Sequence, residues 1–326
     1  MTSPSEALSD RPAPLPRIRL VASVATVAAT LPYLTLKTNW IVGGTLGVRD
    51  PEFLDSSAMT GLNLVTLAMD AIAVAFAIIL VAPWGRRAPG WIVLLPAWIA
   101  GGLLIPIVLA APLGLALDSG AIDDEPDFPL ATWVFPVVYG GFTVQGIGLA
   151  VGFFCYGVDR WGGLIGGRVG DDPRPARQWR ELVLLAAAPA LVTGLCTILW
   201  GWGVPGGLSD EMYDNRNAAF TIMETVRGVF AALAVVGTLT LVRRRPARMP
   251  AWCAVALAGL GSGAMFGWGL WAMVVTLTEG PLAEDARPAA ANLVQLFQTL
   301  TGLTLGLAAL AIVASRRHAT GRGARR

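Results

Sequence analysis

Eight long apolar runs recur along the chain and constrain its fold more than any other feature of the sequence. A helix needs about 20 residues to cross ~30 Å of hydrocarbon, and each run has this length. Only 14% of the residues are charged, whereas soluble domains carry about 25%. The sequence therefore predicts an all-α, polytopic membrane protein with about eight transmembrane helices. The runs cover approximately residues 18–40, 59–83, 91–113, 131–157, 181–201, 217–241, 250–277 and 289–315.

The charged residues are sorted between the predicted loops. Arginines gather in the N-terminal lead, in the second, fourth and sixth loops and in the C-terminal tail, whereas the other loops are acidic. Basic residues concentrate in cytoplasmic loops, so this alternation predicts that both termini lie in the cytoplasm. The abundance of arginine, alanine, glycine and proline is typical of GC-rich bacterial genomes. We therefore expect the protein in the cytoplasmic membrane of a bacterium.

The two halves of the chain resemble each other, which predicts an internal repeat. Four crossings per half is an even number, so the two four-helix repeats would be parallel. In the first matching pair, Gly43-Gly44 are matched with Gly206-Gly207. The matching segments are 37–44 with 197–207, 69–70 with 223–224, and 86–91 with 243–252. The predicted organisation is a disordered cytoplasmic lead (1–17), transmembrane repeat 1 (18–157), a basic cytoplasmic linker (158–180), transmembrane repeat 2 (181–315) and a basic cytoplasmic tail (316–326).

The segment 40–44, Trp-Ile-Val-Gly-Gly, follows the first predicted helix. It resembles small four-helix membrane proteins of actinobacteria that carry a Trp-x-x-Gly-Gly segment at this place, and the chain looks like a tandem version of them. The second half departs from the pattern, because three residues separate Trp202 from Gly206. The resemblance implies that the protein is located in a membrane, and it implies no particular activity.

Ionisable residues inside the apolar runs are the candidate functional residues. A charged side chain at the centre of a membrane helix costs about 2.5–3.5 kcal/mol, so such residues face the bundle interior and are paired. Asp70 lies near the middle of the second run, and Lys37 lies near the end of the first. Glu224 and Arg227 lie three residues apart on one face of the sixth run. The polar residues that would extend such a site are Asn39, Asn63, Gln145, Asn217, Gln295 and Gln298.

Two interpretations of these residues stay open. In the first, Asp70 and Glu224 form a proton or cation relay, or a polar site between the repeats, in a protein that binds or passes small solutes or ions. In the second, Lys37–Asp70 and Glu224–Arg227 are structural ion pairs in a non-enzymatic scaffold, assembly factor or partner-binding subunit. We favour the first slightly, because ionisable residues within membrane helices are commonly functional.

Glycines at helical spacing predict close packing between helices. Gly259, Gly263 and Gly267 lie at i, i+4 and i+8 in the seventh run, and Gly302 and Gly306 lie four residues apart in the eighth. Small residues at this spacing let helix backbones approach closely within a membrane. We expect them to pack helices within one molecule.

Enzymatic chemistry has little support in the sequence. The only histidine, His318, lies in the basic tail, and no nucleophile–base pair, metal cluster or cofactor motif is recognisable. The acidic residues Asp123, Asp124, Glu125 and Asp127 predict a solvated external loop. We therefore predict no catalytic residues, no metal site, no cofactor and no nucleic-acid partner. The lipid bilayer is the predicted environment, and the sequence names no protein partner.

Overall fold

The computed structural model describes residues 14–117, 129–171, 174–214, 216–278 and 288–323. Within these ranges the chain is helical without any extended strand, and eight helices are long and apolar enough to cross a membrane. This confirms the predicted all-α, multi-pass class. The predicted acidic loop at 123–127 lies outside the described residues. The helices are α1 Pro14–Ile41, α2 Ser57–Val81, α3 Gly90–Leu117, α4 Val134–Ile165, α5 Arg177–Gly201, α6 Ala218–Arg243, α7 Ala251–Leu277 and α8 Ala289–Gly323.

Several helices continue beyond the apolar runs that predict them. Helix α4 runs to Ile165 and α5 begins at Arg177, so much of the predicted linker is helical. Helix α8 continues through most of the predicted tail. An apolar run marks the part of a helix that spans hydrocarbon, whereas each further residue that joins an existing helix still gains a backbone hydrogen bond. The extension of α4 is held by an ion pair between Arg19 and Asp159, with an N···O distance of 3.0 Å.

The helices pack into two halves that are joined mainly by α3. In the N-terminal half α1 packs on α2 and α4, and α3 packs on α4. In the C-terminal half α5 packs on α6 and α8, and α7 packs on α6 and α8. Helix α3 packs on both α6 and α7. Large apolar side chains such as Leu185, Leu195 and Val192 remain exposed on the outside, as expected of a surface that faces lipid chains.

Four of the five predicted packing glycines lie at helix contacts. A Cβ atom on Gly263 would lie 2.5 Å from the carbonyl oxygen of Trp98 on α3, and one on Gly267 would lie 2.9 Å from Leu103 of the same helix. A Cβ atom on Gly302 would lie 2.6 Å from the Phe266 backbone nitrogen on α7. One on Gly306 would lie 2.9 Å from the Trp98 ring on α3. Gly259 differs, because a Cβ there would meet no atom within 4 Å. Gly259 therefore makes no close contact with another helix in the described part of the chain, and the packing prediction for it is wrong.

Candidate functional site

The first group of buried polar residues lies between α1, α2 and α4, and we call it the first cluster: Lys37, Asn63, Asp70 and Gln145. The Lys37 ammonium donates a hydrogen bond to Asn63 Oδ1 at 2.7 Å. The Gln145 amide nitrogen donates to Asp70 Oδ1 at 3.1 Å. Asn63, Asp70 and Gln145 are buried, with exposed fractions of 3%, 5% and 1%. Three helices of the N-terminal half therefore converge on one polar region.

Helical geometry explains why these side chains meet. Asn63 and Asp70 are seven residues apart on α2, so they lie on one face and are separated by about 10 Å along the helix axis. Lys37 lies one turn before the end of α1, where its ammonium is 4.9 Å from the ring centroid of Tyr33 and 4.8 Å from that of Trp40. Contacts between a cation and aromatic rings stabilise a charge that burial strips of water.

The Lys37–Asp70 ion pair that the structural interpretation required is not formed. Lys37 interacts electrostatically with Asp70, but it bonds to Asn63, and no nitrogen–oxygen contact within 4.0 Å joins Lys37 to Asp70. The reason is axial position, because Asn63 lies two turns closer than Asp70 to the start of α2. Along the helix axes, Lys37 near the end of α1 therefore lies at the height of the Asn63 amide and not at that of the Asp70 carboxylate.

One oxygen of the Asp70 carboxylate has no hydrogen-bond partner among the described residues. Asp70 Oδ2 is buried and makes no hydrogen bond, whereas Oδ1 accepts from Gln145. An unsatisfied buried polar atom costs about 1–3 kcal/mol. Carboxylate oxygens accept hydrogen bonds and coordinate hard cations. Asp70 Oδ2 is therefore the atom of the first cluster that has capacity for a further donor or cation.

The second group, Glu224, Arg227, Gln295 and Gln298, joins α6 to α8, and we call it the second cluster. Arg227 Nη1 donates to Glu224 Oε1 at 2.5 Å, which is the predicted ion pair. Arg227 Nη2 donates to Gln295 Oε1 at 2.7 Å and to Gln298 Oε1 at 3.0 Å. All four side chains are buried. One guanidinium thus donates to a carboxylate and two amides, whereas Glu224 Oε2 and Arg227 Nε have no hydrogen-bond partner among the described residues.

The two clusters are separate sites. Each is built from helices of one half, and α3, the main link between the halves, contributes no side chain to either. In the described ranges no hydrogen bond or ion pair joins a residue of one cluster to a residue of the other. The predicted polar centre between the halves thus consists, among the described residues, of two clusters without a direct hydrogen bond or ion pair between them. Each cluster lies between helices that pack closely within one half.

Asn39 and Asn217 belong to neither cluster. Asn217 caps the start of α6 by accepting from the Phe220 amide at 2.8 Å. Asn39 Oδ1 accepts from the Leu46 amide at 2.9 Å in the turn after α1. Both side chains satisfy backbone groups that a helix end or turn leaves without partners. Their role in the fold is local.

The turns that follow α1 and α5 are each closed by a hydrogen bond from a tryptophan side chain, which the sequence did not predict. Trp40 Nε1 donates to the Leu46 carbonyl at 2.8 Å, and Trp200 Nε1 donates to the Gly206 carbonyl at 2.7 Å, six residues on in both cases. Gly43 and Gly203, each three residues after the tryptophan, have φ of +88° and +90°. These left-handed values favour glycine. In these turns Gly203, and not Gly206, stands at the same distance from its tryptophan as Gly43 does, so a repeat aligned on the tryptophans would match Gly43 with Gly203.

The capped starts of α2 and α6 give a common reference for comparing Asp70 with Glu224. Ser56 caps α2 by accepting from the Met59 amide, just as Asn217 caps α6. Glu224 lies seven residues after Asn217, whereas the residue seven after Ser56 is Asn63. Counted from the caps, Asn63 therefore stands where Glu224 does, and Asp70 lies two turns further along α2. The sequence contains the residues needed for this comparison, because Ser56 and Asn217 are typical N-cap residues.

A third polar network, at the far end of α2, was not expected from the sequence. Tyr156 donates to the Gly85 carbonyl at 2.8 Å, and Arg160 donates to Tyr156 Oη and to the Ala88 carbonyl, both at 2.5 Å. These bonds tie the turn between α2 and α3 to α4. The sorting of basic loops accounts for an arginine in the fourth loop, but only the tertiary structure reveals that Arg160 forms these contacts.

Metal chemistry gains no support from the described residues, which contain no group of three or more potential His, Cys, Asp or Glu ligands. Cys155, Cys196 and Cys253 are free thiols. Comparison of the chain with known protein families, curated proteins and solved structures finds no significant match. The assignment of function therefore depends on the two clusters themselves.

Proposed function

We propose that this chain is a multi-pass protein of a bacterial cytoplasmic membrane that binds a small solute or ion at Asp70, as part of a binding or permeation activity. The observation that carries the proposal is the buried Asp70 Oδ2 atom without a partner. Leaving this oxygen unsatisfied is costly within a membrane. A ligand that supplies a hydrogen-bond donor or positive charge removes that cost when it binds.

The rest of the first cluster suits a ligand of this chemistry. Gln145 holds one carboxylate oxygen, which fixes the orientation of the other. Lys37 stays bonded to Asn63 and between two aromatic rings, so it balances the charge of Asp70 without occupying its free oxygen. Na⁺, a protonated amine or a proton each satisfies Asp70 Oδ2 and preserves these contacts.

A thermal-shift screen of the purified full-length protein tests this function. The panel contains alkali cations, ammonium, small amines and amino acids at several pH values, and it compares wild type with Asp70→Asn. Asp55→Asn is the matched control, because it removes the same charge from an exposed residue before α2. A ligand at 100 times its Kd should stabilise the protein by about 2.7 kcal/mol.

The two outcomes are distinct. A ligand that raises the Tm of wild type and of Asp55→Asn, with the shift lost in Asp70→Asn, supports the site. An equal shift in Asp70→Asn, or no shift in wild type across the panel, contradicts it. Asp70→Glu keeps the carboxylate, so it should retain part of the response if the other variant folds poorly.

We also propose that the chain consists of two parallel four-helix repeats with both termini in the cytoplasm. The matching hydrogen bonds of Trp40 and Trp200 support the repeat, as do the matching helix caps. The pairing of α1 with α2 and α4 is repeated by α5 with α6 and α8. The sorting of basic and acidic loops supports the orientation.

The second cluster favours another function, that of a non-enzymatic scaffold, assembly factor or partner-binding subunit. Arg227 joins α6 and α8 through three side-chain acceptors, as a structural lock between helices would. Under this alternative Asp70→Asn lowers the Tm without changing any solute response. Recovery of protein partners from cross-linked membranes would then depend on an intact Asp70. We assign no enzymatic activity under either proposal.

A further inference from the structure

A groove of about 720 Å³ lies beside the C-terminal end of α6, away from both polar clusters. Its apolar wall includes Val236 and Leu239, and its far end is lined by Arg243 and Arg245. Both arginines are exposed, and neither is joined to a described residue by an ion pair. The groove thus combines an apolar wall within a spanning helix with two unpaired positive charges at the end of that helix.

The turn that carries these arginines is held in place by a second segment. Val169 and Gly170 donate backbone hydrogen bonds to the carbonyls of Met249 and Ala247, at 2.9 and 3.0 Å. Arg244, the C-cap of α6, has a left-handed φ of +58°, and its guanidinium donates to the Gly170 carbonyl. Arg244 therefore stabilises the turn, whereas its neighbours Arg243 and Arg245 line the groove.

We propose that this groove binds an anionic phospholipid, with its phosphate between Arg243 and Arg245 and an acyl chain along Val236 and Leu239. Guanidinium groups bind phosphate oxygens by charge-assisted hydrogen bonds. Basic residues at the end of a membrane helix attract anionic lipids. A free phosphate ion would use the arginines alone, whereas a lipid also covers Val236, which is 51% exposed. The apolar wall therefore selects the lipid.

The test uses the full chain in a nonionic detergent and counts lipid adducts by native mass spectrometry. Phosphatidylglycerol is titrated against wild type, and phosphatidylcholine with the same chains and inorganic phosphate are titrated separately. Wild type should bind phosphatidylglycerol in preference to the other two. The double variant R243Q/R245Q should lose roughly tenfold or more in affinity, since each basic residue contributes about a factor of five to an anionic lipid surface.

Two further variants make the result specific. R86Q/R87Q removes two exposed arginines from the turn between α2 and α3, so it matches the charge loss and should bind phosphatidylglycerol like wild type. Val236→Trp keeps both arginines and fills the groove, so it should bind less. Equal loss in R86Q/R87Q, unchanged binding in Val236→Trp, or equal binding of inorganic phosphate and phosphatidylglycerol would overturn the proposal.

Discussion

Gly102 of α3 and Gly263 of α7 lie against each other where the two halves of the molecule cross. A Cβ atom on Gly102 would overlap the backbone of Gly263. Each glycine is twelve residues beyond the first residue of its helix. Equivalent positions of two related helices meet in this way when an axis along the membrane normal relates them, so the contact agrees with the proposed parallel repeat.

Gly263→Leu should destabilise the protein. Even a Cβ atom at this position would lie 2.5 Å from the Trp98 carbonyl oxygen, and backbone cannot move aside as a side-chain tip can. Overpacking of a close contact costs about 1–3 kcal/mol, and more where backbone must shift. The midpoint of thermal unfolding in detergent measures the loss.

Gly259→Leu is the control for that substitution, because it makes the same change one turn away where no atom lies within 4 Å. Its unfolding midpoint should stay close to that of wild type. Equal destabilisation by the two variants would show that leucine is poorly tolerated in α7 generally, and the assignment of Gly263 to the helix crossing would fail.

Glu224→Gln should be strongly destabilising. It removes the charge partner of the buried Arg227 guanidinium, and breaking a buried ion pair costs about 3–5 kcal/mol. The control is Glu181→Gln, which neutralises the exposed pair with Arg177, whose side chain is 88% exposed. Exposed pairs contribute about 0–1 kcal/mol, so Glu181→Gln should melt like wild type. Similar unfolding midpoints for both variants would remove the structural role assigned to the second cluster.

Trp40→Phe and Trp200→Phe should have similar effects, since each removes an indole hydrogen bond to a carbonyl six residues on. The loss of one such bond costs about 1 kcal/mol. Trp91→Phe provides the comparison, because Trp91 is 68% exposed. Thermal melts of the three variants are the measurement, and a Trp91 variant as unstable as the other two would contradict the importance of the turns.

Labelling of single cysteines tests the proposed orientation. In a background without native cysteines, Glu211→Cys before α6 should react with a membrane-impermeant maleimide in intact cells. Arg248→Cys, between α6 and α7, should react only after the membrane is permeabilised. Both positions are exposed, so accessibility depends on the side of the membrane. The reverse pattern would place the termini outside.

The features that the sequence predicted correctly are local ones. A membrane helix satisfies all its backbone hydrogen bonds within one segment, so about 20 consecutive apolar residues were enough to indicate each span. The Glu224–Arg227 pair was predictable for the same reason, because residues three apart on a helix are neighbours whatever surrounds them. Both predictions needed only the geometry of a single helix.

Contacts between helices were predicted less well. Lys37 bonds to Asn63 and not to Asp70, because the turn between α1 and α2 sets their relative heights. Gly259 and Gly263 are one turn apart, yet only Gly263 has α3 opposite it. The buried polar residues form two clusters because hydrogen bonds join side chains of α1, α2 and α4 in one case and of α6 and α8 in the other. None of these outcomes is encoded in the spacing of residues along one helix.

The sequence by itself thus determined that the chain carries eight helices long and apolar enough to cross a membrane, and which ionisable residues lie within them, because the exclusion of water acts on each segment separately. Only the tertiary structure decided which of those charges are satisfied. It surrounds Arg227 with three acceptors and leaves one oxygen of Asp70 without a partner. The physical reason is that hydrogen bonds require contact at about 3 Å, and such contact between distant segments exists only once the helices have packed.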